Sequence, residues 1–379
     1  GDNYMDMSAI TPSTMQLNRL KWETTTEYNT GLDASFLKGK LRFTVDVYQK
    51  YIKDLLQKKV KMPTSIGYGN GYEVSYMNSG KMTNKGWEFR VDAVPFENRD
   101  WRVGFYFNIA HNENKITEMP DNYTEENYTF NNGEYAYRRE EGRPMGSFYG
   151  YRYKGVCQNK DATYARDADG NVMKDISGNA IVMRNGTATI APGDALYEDI
   201  NHDGVINQYD IVYLGNSNPR FTGGAGVNVS YKQFKLSAIF YGRYGQDVVN
   251  STRLNNESMR GIDNQSTAVL RRWRNEGDQT DIPRALYGEG YNTLGSDRFV
   301  EDASYLRLKS LSFNYRLPKK IIQRWGFSNI DVYVTGYNLF TWTKYTGQDP
   351  EVKTENTYAR DSATTPASIQ LVAGFNLSF

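Results

Sequence analysis

Residues 296–317, SDRFVEDASYLRLKSLSFNYRL, restrict the possible folds more than any other stretch of the chain. From Tyr305 onward, Tyr305, Arg307, Lys309, Leu311, Phe313 and Tyr315 alternate with Leu306, Leu308, Ser310, Ser312 and Asn314. Period two is the repeat of a strand, whose successive side chains leave opposite faces. The segment predicts one long strand with the odd positions on one face and the even positions on the other, stopped by Pro318. It exceeds the usual strand of about five or six residues, and aromatic residues gather near both ends. The wall of a transmembrane β-barrel requires strands of this kind.

The same pattern recurs along the chain. Strands are expected at 19–37, 40–57, 84–96, 101–115, 221–231, 234–249, from 305, at 329–344 and at 368–379, about nine wall strands in all. In 40–57, Leu41, Phe43, Val45 and Val47 oppose Arg42, Thr44, Asp46 and Tyr48, and the pattern alone does not say which face meets lipid. Connections at 38–39, 97–100, 232–233 and 318–328 are short, whereas 58–83, 116–220, 250–295 and 346–367 are long, with a short helix possible near AVLRRWRNEG. Short periplasmic turns and long extracellular loops are the asymmetry of an outer-membrane barrel. On that parity SFYGYRYKGV (147–156) cannot be one extra wall strand; it belongs to an extracellular insert over 116–220 or pairs with a second, unrecognised strand. The competing architecture is a soluble β-sandwich or propeller, whose strands are generally shorter.

Composition agrees where it speaks. The 379 residues carry a net charge of +1, which gives no reason to expect nucleic acid. A mean hydropathy of −0.69 would suit a soluble protein, but barrels turn only alternate residues to lipid. The 30 Tyr, 17 Phe and 6 Trp suit strands and interfacial girdles. The single cysteine, Cys157, excludes an internal disulfide, and there is no Cys/His cluster for zinc. An odd strand number and a polar start without an initiator Met suggest the C-terminal part of a longer barrel.

One loop has metal-ligand spacing. In DINHDGVINQYD (199–210), Asp199, Asn201, Asp203, Val205 through its carbonyl, Asn207 and Asp210 occupy positions 1, 3, 5, 7, 9 and 12 of an EF-hand loop, with Gly204 at 6 and Ile206 at 8. Asp in place of Glu at position 12 reaches less far, so weak calcium binding of a dockerin-like kind, with a structural role, is expected. The alternative is a polar turn-rich loop without metal. Elsewhere, His111 ends a strand, His202 sits at a non-ligand loop position, and no GxSxG, HExxH or phosphate-binding loop occurs. Glu301–Asp302 could form an acid–base pair as in a glycosidase, but no enzyme is expected. The aromatic runs SFYGYRY (147–153) and YNLFTWTKY (337–345) could stack on sugars or simply pack.

The ordered series LKWETTTEYNTGLDASFLKGKLRFTVDVYQKYIKDLL (20–56), NSGKMTNKGWEFRV (78–91), GRPMGSFYGYRYKGV (142–156), YEDINHDGVINQYDIVYLGNSNPRFTGG (197–224), DASYLRLKSLSFNYRLP (302–318), VYVTGYNLFTWTKYTGQDPE (332–351) and the terminal GFNLSF resembles the barrel of the SusC/RagA family of TonB-dependent outer-membrane transporters. The resemblance implies an all-β fold. It makes the chain the C-terminal part of a large antiparallel transmembrane β-barrel of twenty-two strands, incomplete without an N-terminal plug and its remaining strands. It also implies the outer membrane of a Gram-negative, Bacteroidetes-like cell and TonB-energised uptake of an oligosaccharide or peptide. The partners it implies are a SusD-like surface lipoprotein and, through the missing N-terminal part, TonB with ExbB and ExbD. Terminal Phe379 looks like the signal read by barrel-assembly machinery. A surface glycan-binding or adhesion protein with a calcium-stabilised loop is the alternative reading.

Overall fold

The computed structural model describes residues 20–61, 73–78, 80–119, 134–136, 139–352, 354–355 and 358–379, and the backbone of Asn3–Tyr4 and Met7–Ser8. Nine strands form one antiparallel sheet in which every neighbour in sequence is a neighbour in space. They are β1 (Thr24–Phe36), β2 (Leu41–Lys53), β3 (Lys81–Glu97), β4 (Trp101–Glu118), β5 (Phe221–Tyr231), β6 (Phe234–Tyr244), β7 (Tyr305–Arg316), β8 (Asn329–Thr343) and β9 (Gln370–Ser378). The nine expected wall strands are these nine. Among the described residues no helix is long and apolar enough to cross a membrane.

The register decides which face is which. Phe43 lies beside Ala34 and Val91, Val91 beside Phe107, and Phe107 beside Ala225. Ala225 then meets Phe240, Phe240 meets Leu308, and Leu308 meets Phe340. One face is therefore apolar from strand to strand, and the other carries Asp46, Arg90, Asn108, Asn228, Ser312 and Thr335. Apolar outside and polar inside is the barrel arrangement. Aromatic side chains border the apolar face at both ends. Trp101–Tyr231 (4.3 Å between centroids), Phe36–Phe43 (5.6 Å) and Phe234–Tyr315 (4.7 Å) lie at the short-turn end, and Trp87, His111 and Phe221 cluster at the loop end. Phe221 and Tyr231 are the two ends of β5. Strand rise and a tilt of about 40° separate them by roughly 26 Å along the barrel axis, close to the height of an outer-membrane apolar band.

Straight alternation through β7 does not survive. The register slips at Lys309 against both β6 and β8, so β7 bulges there. Leu306 and Leu308 then share the apolar face with Leu311, Phe313 and Tyr315, and Arg307 and Lys309 turn to the polar side. The physical reason is plain: a lipid-facing Lys near the midplane costs about 2–4 kcal/mol and an Arg nearer the loop end less, and one extra residue in the strand removes both cations from lipid. Other boundaries shift as well. The first strand starts at Thr24 rather than 19. The strand expected over 234–249 ends at Tyr244, because Gly245 takes φ +74 and Asp247–Asn250 enters a different sheet. In the expected loop 58–83, Leu56–Lys61 and Glu73–Asn78 pair as a hairpin, and the rest lies mostly outside the described residues, as do 9–19. Helices form at Ser251–Asn256, which the sequence reading missed, and as a 3-10 turn at Thr267–Arg271 inside the expected AVLRRWRNEG.

The densest core lies in the long connections. Ser147–Gly150 pairs with Val212–Asn216, and Tyr153–Val156 with Ala195–Tyr197, so SFYGYRYKGV is two short strands paired within 116–220. Phe148, Tyr149 and Tyr151 are essentially fully buried. They pack with Ala195, Tyr197, Ile206 and Leu294 on one side, and with Val249, Leu254, Phe299 and Tyr358 on the other. Three long connections thus share one hydrophobic interior above the wall.

Candidate functional site

The loop 199–210 turns as its spacing suggests. Gly204 takes φ +81 and its N–H donates to Asp199 Oδ2 at 2.7 Å, closing the sharp turn at position 6. The amide of Val205 donates to Asp203 Oδ1 (2.8 Å), Asn201 Nδ2 donates to Asp203 Oδ2 (2.9 Å), and Asn207 Nδ2 donates to the Val205 carbonyl (3.1 Å). Asp210 is fully buried and accepts from the amides of Ile200 and Asn207, both at 2.8 Å. Burial pushes the Asp210 carboxyl above its ordinary range; those two amides oppose the shift, and the charges of Asp199 and Asp203 add to it. Ile206 anchors the loop in the core. Among the described residues no salt bridge reaches Asp199, Asp203 or Asp210. Nor do three His, Cys, Asp or Glu side chains converge tightly enough to hold a metal by themselves. A cation here would therefore need the amide oxygens of Asn201 and Asn207 and the Val205 carbonyl beside the carboxylates. That donor set is the hard-oxygen kind suited to Ca2+, and carboxylate oxygens that accept one N–H keep a further lone pair.

The remaining candidates resolve into structural parts. His111 Nδ1 lies 2.6 Å from the Arg220 carbonyl and its ring joins the loop-end aromatic cluster. His202 is exposed at φ +55. Glu301 accepts from Arg253, Asn250 and Thr346, whereas Asp302 accepts from the Ser304 amide, so the two carboxylates serve separate contacts. The aromatic run at 147–153 is core. The run at 337–345 divides: Phe340 and Trp342 face out, and Tyr345 is buried with its hydroxyl donating to Asp361 (2.6 Å). Burial pushes the Cys157 thiol up to about 11, an unreactive state.

Two features of the polar face escaped the sequence reading. Three tyrosines there stand directly opposite glycines across the ladder: Tyr48 and Gly86, Tyr106 and Gly226, Tyr333 and Gly374. The Tyr48 ring crosses Gly86 to reach Asn112 Oδ1 on the next strand but one (3.1 Å). Such pairs are visible only once the register is known. The second feature is Arg307. Its guanidinium donates to Thr341 Oγ1 (2.8 Å), Glu351 (2.8 Å) and Asp349 (2.5 Å), with Lys309 also on Glu351 (3.0 Å). The bulge at Lys309 aims both cations at the loop after β8. Although burial works against it, the amides of Ala367 and Glu351 and the Arg307 guanidinium hold the Asp349 carboxyl below its usual range. Replacing Arg307 by lysine removes the forked donor geometry and should cost roughly 1–2 kcal/mol. Hydrogen exchange should then quicken in 344–369 and stay unchanged in β1–β6; unchanged exchange in 344–369 would refute this anchoring role.

The family described as "TonB dependent receptor-like, beta-barrel" matches residues 1–339. The chain belongs to this family. TonB-dependent receptor P3 of Formosa agariphila is 32% identical over 349 residues, covering 89% of this chain and 32% of that protein. TonB-dependent receptor SusC of Bacteroides thetaiotaomicron is 27% identical over 389 residues, covering 100% of this chain and 34% of its own length. The solved structure of the RagAB peptide transporter superposes with a TM-score of 0.70 at 26% identity, over 100% of this chain and 38% of that one. The chain is thus SusC/RagA-like, part of an outer-membrane TonB-dependent barrel, and spans about a third of the length of the curated relatives it matches. The family is a class of transporters rather than of enzymes.

Proposed function

We propose that this chain is part of the wall of a TonB-energised importer for oligosaccharides or peptides, working with a SusD-like surface lipoprotein. The observation that carries the reading is the single nine-stranded sheet with one continuous apolar face and one continuous polar face. A wall of that kind separates lipid from an aqueous lumen. Its outer strands β1 and β9 present open edges among the described residues, and lipid does not tolerate unpaired backbone groups. Further strands would close the barrel, and a plug would obstruct so wide a lumen. TonB with ExbB and ExbD would act through that plug-bearing part. The long connections, including 116–220, would face outward and meet the lipoprotein and the cargo. Deleting the gene for the full-length receptor tests the reading. Growth on one class of nutrient, glycan or peptide, should fall sharply, and a tagged receptor should co-purify a lipoprotein. Unchanged growth on both classes with no lipoprotein recovered would overturn it.

We also propose that Ca2+ stiffens the 199–210 loop, held by Asp199, Asn201, Asp203, the Val205 carbonyl, Asn207 and Asp210. The bound ion would neutralise the buried carboxyl. The sign follows from Asp210: its folded value is raised, so in the metal-free loop it favours folding below the unfolded value of about 4 and loses that contribution as pH rises through the folded value. Chelation should therefore speed proteolysis within 199–210 at pH 7, and its effect should shrink as the pH falls toward the unfolded value of about 4. Equal cleavage with and without chelator at pH 7 would remove calcium from this loop.

A further inference from the structure

We propose that the lipid-facing wall carries a built groove for one acyl chain of a phosphate-bearing membrane lipid. The groove lies at the loop end of β4–β8 and has a volume of about 690 Å³, within the range of small-molecule pockets. Its floor is made of missing side chains. Gly223 and Gly242 stand opposite each other across β5 and β6, with Ala225 two residues further along the same face. A Cβ at Gly223 would sit 2.4 Å from the Asn108 carbonyl oxygen, and one at Gly242 would sit 2.7 Å from that of Tyr305. Neither glycine can be exchanged without moving backbone. Phe240, Leu306 and Trp342 line the groove on the apolar side.

Two observations select the occupant. The groove is continuous with the apolar band that meets lipid, and the polar face that would meet cargo is on the other side of the sheet. Its loop-end mouth carries Lys344, exposed and, among the described residues, in no ion pair. The other charges nearby are engaged. Arg243 is turned inward to the Tyr241 hydroxyl (3.2 Å), and the Asp302 carboxylate accepts from the Ser304 amide (2.8 Å). An apolar trough ending at a free cation beyond an aromatic girdle matches an acyl chain with a phosphate at its head. Placing that lipid in the outer leaflet rests on the reading that the long loops face outward; the existence of the groove does not.

The test is native mass spectrometry of the full-length receptor in detergent, titrated with monophosphorylated lipid A. One saturable adduct is expected. Ala225→Trp, which fills the trough from a position that already carries a side chain, should weaken it at least tenfold. Lys344→Glu should weaken it several-fold, with no such loss for a diacylglycerol probe. Heat-modifiable gel mobility of each variant reports that the barrel is folded. Undiminished binding by folded Ala225→Trp, or only graded, non-saturating adducts, would overturn the proposal. So would the absence of an adduct together with a receptor dimer that Ala225→Trp abolishes, which would make the groove a protein contact. None of these readouts depends on cargo uptake, so the importer reading stands or falls separately.

Discussion

Replacing Gly226 by valine is expected to prevent or severely weaken assembly of the wall. Valine is a better strand residue than glycine by intrinsic preference, so propensity alone predicts a gain. Geometry reverses the sign. A Cβ at position 226 would lie 2.0 Å from Tyr106 Cε1, 2.6 Å from Cζ and 2.8 Å from Cδ1, which means that the whole ring occupies the space. The ring cannot tilt away freely, because Arg90 lies over it with the guanidinium 5.5 Å from the centroid. Relieving the overlap would force the ring off its site or strain β4 and β5 apart, at roughly 3 kcal/mol. Urea titration followed by heat-modifiable gel mobility measures the loss. The double variant Gly226→Val with Tyr106→Ala should recover most of it. If the double variant is no more stable than the single one, the overlap is not the cause.

The second large effect is expected at Asp194. Its carboxylate is fully buried and accepts from Arg284 Nε (2.7 Å) and Nη2 (3.1 Å), from Asn292 Nδ2 (3.2 Å) and from the Ala191 amide (2.8 Å). Arg284 in turn donates its own amide to the Gly193 carbonyl (2.7 Å), and the Trp273 ring covers Gly193 so closely that no Cβ would fit. One carboxylate therefore ties 191–194 to 273–292, two connections far apart in sequence. Asp194→Ala leaves the Arg284 guanidinium and the half-buried Ala191 N–H without this acceptor, and leaves the Asn292 carboxamide only the Arg284 carbonyl (3.2 Å). The expected cost is about 3 kcal/mol, at the low end for a broken buried pair because Arg284 keeps some solvent. That corresponds to roughly a hundredfold rise in the open population, read as faster limited proteolysis between 250 and 295. The wall should keep its heat-modifiable mobility, since its ladders do not pass through Asp194. Loss of the barrel itself would show that the loop interior and the wall fold as one unit.

Much of the wall was legible because its signal is local. Period-two alternation in Leu41–Tyr48 or Phe234–Ala238 needs no partner strand to be seen, and the short turns at 38–39, 97–100 and 232–233 mark where the chain reverses. The loop 199–210 is also local: its donors are set by spacing within twelve residues, and the turn at Gly204 follows from that spacing. Tertiary structure alone decided the rest. Which face meets lipid depends on eight registers agreeing, since one strand with two distinguishable faces is ambiguous by itself. The bulge at Lys309 is invisible in YLRLKSLSFNYR, because straight alternation is the simpler reading until the cost of placing Arg307 in lipid is weighed against the neighbours on β6 and β8. The tyrosine–glycine pairs, the carboxylate of Asp194 and the trough over Gly223 and Gly242 all join residues distant in sequence. Alternation is a property of one strand and is written in its residues; contact across strands and between loops exists only after the chain has closed those distances.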